Sequence, residues 1–106
     1  MLTTKQLTPG ERLLIQRRRT AKNQTEAARF YDLSDWQYRQ CEADEARTIP
    51  APPLGKLRPH EACMIMRRRA GMKRTELAAK IGVSGWWLTQ MERGQVPAKR
   101  LVEFWS

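Results

Sequence analysis

The sequence predicts an all-α chain built as two tandem copies of one small helical bundle. Three observations carry this: the chain repeats itself at an offset of 50 residues, apolar residues recur at helical spacing with no strand-like alternation, and cap and stop residues punctuate both copies at matching places. Residues 8–43 written over 58–93 pair Pro9 with Pro59, Glu11 with Glu61, Ile15 with Ile65 and Arg17-Arg18-Arg19 with Arg67-Arg68-Arg69. The pairing continues with Thr25-Glu26 on Thr75-Glu76, Ala28 on Ala78, Ser34 on Ser84, Trp36 on Trp86, Gln40 on Gln90 and Glu42 on Glu92. That is thirteen identities in 36 aligned positions, where about two are expected by chance. Residues 1–47 form the first, more divergent repeat, 48–57 a linker and 58–106 the second repeat.

Thr8-Pro9-Gly10-Glu11 opens the first helix with a capping hydroxyl, a proline at the first helical position and a glutamate three residues after the cap. The helix runs to about Thr20 with Leu13 and Leu14 inward. Pro59 starts its equivalent, burying Cys63 and Met66, although Arg58 lacks the capping oxygen of Thr8. Gly71 ends that helix, and Lys73 to Ile81 places Leu77, Ala78 and Ile81 on one face of a second. In Gly82-Val83-Ser84, glycine permits a left-handed backbone, valine plugs the angle between helices and serine caps the next helix. The third helix, Gly85 to Arg93, turns Leu88 and Met91 inward and stops at Gly94. After Pro97, a fourth, Ala98 to Phe104, brings Leu101, Val102, Phe104 and Trp105 to close the core. The first repeat follows the plan with Ala27, Ala28 and Tyr31, then Leu33-Ser34, then Tyr38 and Cys41. Asp32 stands where the turn glycine is expected and tolerates that backbone better than most residues. Thr48-Ile49-Pro50-Ala51-Pro52-Pro53-Leu54-Gly55 is too proline-rich for a fourth helix and predicts a semi-rigid extended linker.

With 20 Lys+Arg against 11 Asp+Glu the net charge is +9, which favours a polyanionic partner. Residues 1–50 hold nine basic and seven acidic side chains and residues 51–106 eleven and four, so the second repeat is the stronger phosphate binder. No apolar run approaches the roughly 18 residues of a membrane span, and no signal-peptide core opens the chain, so a cytoplasmic protein is expected. Cys41 and Cys63 sit at non-equivalent repeat positions among apolar neighbours and read as buried thiols. Two cysteines and one histidine make no zinc set. His60 has no nucleophile or carboxylate pair placed around it and reads as a surface residue, so no enzyme, no cofactor and no small-molecule ligand is expected.

Thr75-Glu76-Leu77-Ala78-Ala79-Lys80-Ile81-Gly82-Val83-Ser84 followed by Met91-Glu92-Arg93-Gly94 resembles the helix-turn-helix family of the lambda-repressor and Cro type, the XRE family. The resemblance covers nearly all of 59–105; the first repeat shares Thr25-Glu26, Ala28, Leu33-Ser34 and Glu42. It implies two tandem lambda-repressor-like bundles, a third helix entering the major groove and phosphate contacts at the start of the second. The residues placed for base contact are Gly85, Trp86, Thr89, Gln90 and Arg93, with Trp36, Gln37 and Gln40 in the first repeat. Gln40 and Gln90 stand opposite the core positions, and a glutamine amide suits the adenine edge. For phosphate the candidates are Lys73 and Arg74, where the family carries a glutamine, then Arg69 and Arg67, with Arg19, Asn23 and Gln24 in the first repeat. The rest of the arginine triplets are expected in solvent or paired with Glu26, Glu61 or Glu76. Two departures from the family stand out: Gly85-Trp86-Trp87 and Asp35-Trp36-Gln37 occupy a helix start that usually carries small polar residues. Trp36 and Trp86 serve either a duplex, an interface or the local core, and Trp87 is expected beside Phe104 or Trp105.

The resemblance implies a sequence-specific, double-stranded DNA-binding regulator, a repressor from a bacterium or phage, acting at an operator or by touching RNA polymerase. Two readers on one chain can cover adjacent major grooves, about 34 Å apart, since ten extended linker residues reach roughly 33 Å. Two other readings stay open. In one, the second repeat binds DNA while the first, with Asp35 at its helix start, makes a homodimer. In the other, the chain is a protein-binding antirepressor or antitoxin-like module that grips a partner with its tryptophans.

Overall fold

The computed structural model describes residues 2–46 and 53–106, so half of the expected linker, Thr48 to Pro52, lies outside the described residues. Every regular element among them is helical: a 3-10 turn Thr4–Gln6, then α1 (Pro9–Arg19), α2 (Gln24–Phe30), α3 (Asp35–Glu42), α4 (Pro59–Arg69), α5 (Arg74–Ile81), α6 (Gly85–Glu92) and α7 (Lys99–Trp105). Among the described residues no helix is long and apolar enough to cross a membrane. The chain divides into two units, Thr4–Lys56 and Leu57–Ser106 joined by the first residues of the chain.

In the first unit α1 and α2 both pack on α3. Leu13, Ala27, Ala28 and Tyr38 lose all but 2 % of their exposure, and Tyr31 and Leu33 close over them. Helical spacing puts these side chains on the faces that meet, and their burial drives the packing at roughly 25 cal/mol per Å2 of apolar surface. In the second unit α4 packs on α6 and α7, and α5 does the same. Cys63, Leu77, Ala78, Leu88, Met91 and Leu101 form its core, with Met72, Ile81, Val83, Val102 and Trp105 around them. The fourth helix begins and ends one residue later than expected. Leu101 and Trp105 close the core, while Phe104 stays 39 % exposed. On α4, Met64 is buried and Met66 only half so.

The two repeats end their helices with different chemistry. All three first-repeat helices carry complete capping boxes: Thr8 with Glu11, Asn23 with Glu26 and Ser34 with Gln37. In the second repeat the Arg58 N–H still donates to the Glu61 carboxylate at 2.9 Å, but nothing returns from the Arg58 side chain. Ser84 caps α6 by accepting from the Trp87 N–H at 3.1 Å. After the helices the order is reversed. Three backbone positions are left-handed in each repeat: Gly71, Gly82 and Gly94 in the second, and Ala21 (φ 54°), Asp32 (φ 59°) and Asp44 (φ 59°) in the first. The turn at Asp32 therefore forms as the sequence predicts, at the steric cost of a Cβ that glycine avoids.

A size exchange sets how helix one meets the end of helix three. Gly10 aligns with His60, and Asp44 with Gly94. A Cβ at Gly10 would collide with the backbone carbonyls of Cys41 and Glu42, and the Gly10 N–H donates to Asp44 Oδ1 at 2.8 Å. Thr8 Oγ1 donates to the other Asp44 oxygen at 2.5 Å. In the second unit a Cβ at Gly94 would lie 2.7 Å from the His60 ring. His60 is thus half-buried against Gly94 and is not the surface residue expected, because the glycine opposite leaves room for its ring.

The linker expectation also changes. Leu54 is buried, the Arg19 guanidinium donates to the carbonyls of Leu54 and Lys56 at 2.5 and 3.0 Å, and Thr4 Oγ1 donates to that of Gly55. Residues 53–56 are folded into the first unit.

Two predictions follow from these comparisons. Ala21→Gly should raise the unfolding free energy in urea by about 0.5–1 kcal/mol, and Gly71→Ala, whose Cβ meets nothing within 4 Å, should lower it by about 1 kcal/mol; opposite signs would contradict the strain argument. Gly94→Asp alone should destabilise the second unit, and adding His60→Gly should restore about 1 kcal/mol or more by reproducing the Gly10–Asp44 arrangement. Simple additivity of the two changes would remove that explanation.

Candidate nucleic-acid interface

The frame of each unit is a buried carboxylate at the end of its third helix. Glu42 is 3 % exposed and Glu92 2 %. Arg17 grips Glu42 with Nε at 2.6 Å and Nη2 at 3.3 Å, and Arg67 grips Glu92 with the same two nitrogens at 2.6 and 3.1 Å. The remaining terminal nitrogen, Nη1, donates to the carbonyl of Lys22 in one unit and of Met72 in the other. The planar guanidinium thus fastens helix three to helix one and to the loop before helix two. From helix two, Gln24 donates to Glu42 at 3.3 Å, and the Arg74 Nε stands 3.5 Å from Glu92.

Arg67 is therefore reassigned. Its side chain is 14 % exposed and is held in this pair, because it lies one helical turn past the core residue Cys63 and shares its face. Arg19 is reassigned to the loop carbonyls. Asn23 Oδ1 accepts from the Glu26 N–H at 2.8 Å as the cap of α2. Gln37 Oε1 accepts from the Ser34 N–H at 3.0 Å in a capping box, and the Thr89 hydroxyl donates to the Gly85 carbonyl at 3.0 Å. Trp87 lies beside Trp86, ring centroids 6.1 Å apart, while Phe104 meets Trp105 edge to face.

The frame turns the other side of helix three outward. On α6, Leu88, Met91 and Glu92 are buried, whereas Trp86, Gln90 and Arg93 follow one another at intervals of four and three residues and line a single stripe. Trp86 is 65 % exposed, Gln90 half-exposed and Arg93 exposed. Gly85 and Thr89 flank that stripe. Lys73 is exposed at the start of α5 and makes no side-chain cap bond, beside Arg74 with 41 % of its side chain exposed; Arg69 is exposed in the last turn of α4.

The first unit presents the same stripe with different chemistry. Trp36 is 67 % exposed and Gln40 half-exposed, but the third position is Ala43 in place of Arg93. Asp35 stands where the second repeat has Gly85 and accepts from the Thr25 hydroxyl at 3.0 Å. The structure thus keeps Trp86, Gln90 and Arg93 together with Gly85 and Thr89, and draws Arg67, Arg19, Asn23, Gln24 and Gln37 into internal contacts.

Sequence reasoning missed Glu42 and Glu92 as the arginine partners, naming Glu26, Glu61 and Glu76. Glu26 and Glu61 accept from the backbone N–H groups of Asn23 and Arg58. The missed signal was phase, since each buried glutamate follows a core residue, Tyr38 or Leu88, by one turn. Both cysteines are buried, and neither is in a disulfide. Burial, and then the nearby Glu92 carboxylate, push the Cys63 thiol up to about 11, so it stays protonated and inert near neutral pH. Among the described residues no group of three or more His, Cys, Asp or Glu could hold a metal ion.

No family model, no curated protein and no solved structure matches the chain.

Truncating one member of a buried ion pair leaves the other charged and unpaired, at a cost of about 3–5 kcal/mol. Glu92→Ala should lower the stability of the second unit by that order in urea denaturation, and Glu42→Ala should do the same for the first. A loss under about 1 kcal/mol, the range of a surface pair, would show that these bridges do not hold the frame.

Proposed function

We propose that the chain is a sequence-specific, double-stranded DNA-binding regulator made of two tandem lambda-repressor-type helix-turn-helix bundles, with α6 of the second as the reading helix. The observation that carries this is the outward stripe Trp86, Gln90 and Arg93, held open by a core and a buried ion pair on the opposite side of the same helix, with Lys73 and Arg74 at the start of the preceding one. A helix fits the major groove, a glutamine amide pairs with the N6/N7 edge of adenine, and an arginine reaches guanine or phosphate. Lys73 supplies a cation for the phosphate backbone that flanks the groove. Such a protein acts by occupying an operator, which makes repression the simplest outcome.

A specific difference favours assigning the first repeat another task. Its stripe ends in Ala43, Asp35 puts a carboxylate at the helix start, and Arg19, Asn23 and Gln37 are engaged internally. A carboxylate facing DNA is repelled unless it accepts from a cytosine amine. In this reading the second repeat binds the duplex and the first couples to a partner.

Selection of bound sequences from a random duplex pool tests the proposal directly. An enriched motif is expected. On the selected site Gln90→Ala should cost about 1–3 kcal/mol and relax one base position, and Lys73→Ala should reduce the slope of log K against log salt by roughly 0.9. Gln40→Ala should leave affinity unchanged; a loss equal to that of Gln90→Ala would make both repeats readers. Absence of any enriched motif would overturn the DNA reading.

A further inference from the structure

Two neighbouring residues at the start of α6 have identities that the fold does not require. Gly85 is helical, it is not among the glycines with a left-handed backbone, and a Cβ built on it would meet nothing within 4 Å. The helix start around it is regular: Ser84 accepts from the Trp87 N–H, and the Thr89 hydroxyl donates to the Gly85 carbonyl. The first repeat carries Asp35 at the same place, so the arrangement accepts a side chain there. Glycine in a helix is less stable than alanine, and neither backbone conformation nor internal packing offsets that cost at Gly85. Trp86 follows it, 65 % exposed, with Trp87 at its flank. An indole this exposed adds little to the core of its own unit.

Both identities are accounted for by a molecule outside the chain. A glycine suits a point where a backbone approaches a ligand closely, and here it leaves the Trp86 ring as the first large group of the helix. An indole has one donor, no acceptor and a broad apolar ring. In the major groove, guanine offers acceptors without an apolar group, adenine an acceptor and a donor, and cytosine a donor. Thymine alone sets an acceptor, O4, beside an apolar group, its C5 methyl. Gln90 lies four residues further along the same outward stripe, about 6 Å along the helix axis, which spans roughly one or two base-pair steps.

Resting on the reading of α6 as the helix that enters the major groove, we propose that Trp86 is a specificity-determining residue that reads the C5 methyl of a thymine, one or two base pairs from the adenine that Gln90 contacts, and that Gly85 clears its approach. The first repeat shows that an exposed indole is not enough. Trp36 is as exposed as Trp86, but the Asp35 carboxylate precedes it and Ala43 stands in place of Arg93. A carboxylate beside a thymine edge meets only an acceptor and a methyl, and it is repelled by the flanking phosphates.

The test uses the site selected from the random duplex pool, resynthesised with deoxyuridine in place of each thymine in turn. That change removes the methyl and keeps O4 and the base pair. With the adenine located by the position that Gln90→Ala relaxes, one deoxyuridine within two steps of it is expected to weaken binding by about fourfold, the equivalent of one buried methyl group. Trp86→Ala should weaken the thymine site by on the order of tenfold and bind the thymine and deoxyuridine sites equally. Gly85→Ala should weaken binding while raising the urea midpoint of unfolding, opposite directions that a purely structural role would not produce. Deoxyuridine without effect at every thymine in that window would overturn the inference, as would a deoxyuridine penalty that persists in Trp86→Ala. A Trp86→Ala loss of the same size on unrelated duplexes would move the indole to sugar and phosphate and overturn it too, and so would Gly85→Ala binding as tightly as the native chain. Each of these results leaves the enriched motif and the Gln90 effect standing, so this inference falls alone; absence of any motif removes the DNA reading and this inference together.

Discussion

The structure depends on a carboxylate that is not allowed to meet water. Glu42 and Glu92 are buried at the ends of α3 and α6, and a buried charge persists only where a partner of fixed geometry compensates it. The guanidiniums of Arg17 and Arg67 provide that geometry with two parallel bonds to the carboxylate and a third to a loop carbonyl. One interaction therefore sets the rotation of helix three about its own axis. Rotation decides which residues face outward, so the stripe Trp86, Gln90 and Arg93 is positioned by a bond on the other side of the helix. Apolar burial alone would favour the same face but tolerate small changes of rotation; the two-pronged ion pair is far less forgiving.

The repeats share this frame and differ in nearly everything attached to it. The first invests in helix starts, with three capping boxes, and accepts Ala21, Asp32 and Asp44 in left-handed backbone after its helices. The second places glycine at all three of those positions and completes none of the three boxes, keeping the Glu61 half at α4 and the Ser84 half at α6. Each device is worth about 1 kcal/mol, so different sets can support the same arrangement. Asp44 shows how the sets interlock. Its side chain caps the start of α1, a service that Gly94 cannot provide, while Gly94 admits the His60 ring that Asp44 would exclude.

Local spacing made the helices, their caps and the turn at Asp32 legible in the sequence. It did not separate the three members of an arginine triplet, because neighbouring positions on a helix differ by about 100° and composition says nothing of which one turns inward. Phase relative to the core carried that information: Arg17 follows Leu13, and Arg67 follows Cys63, by one turn. The role of Arg19 had no comparable local signal, since its acceptors Leu54 and Lys56 lie more than thirty residues away in a segment without periodicity. The exchange between Gly10–Asp44 and His60–Gly94 could have been read by treating the repeats as an alignment of two. Positions 34 residues apart differ together there, as expected of a volume shared across a contact.

The fold also keeps its surfaces separate. In the second unit α7 packs on α4 and α5, while the outward stripe of α6 stays exposed. In the first unit Tyr38 is fully buried under α1 and α2, and Trp36 and Gln40 face away from it on α3. A change in what covers helices one and two thus leaves helix three's outward chemistry, and the ion pair that sets its rotation, intact. Where the second repeat has Met66, Ala70 and Met72, the first has the polar Gln16, Thr20 and Lys22. None of these differences falls on the arginine or the glutamate that both repeats require.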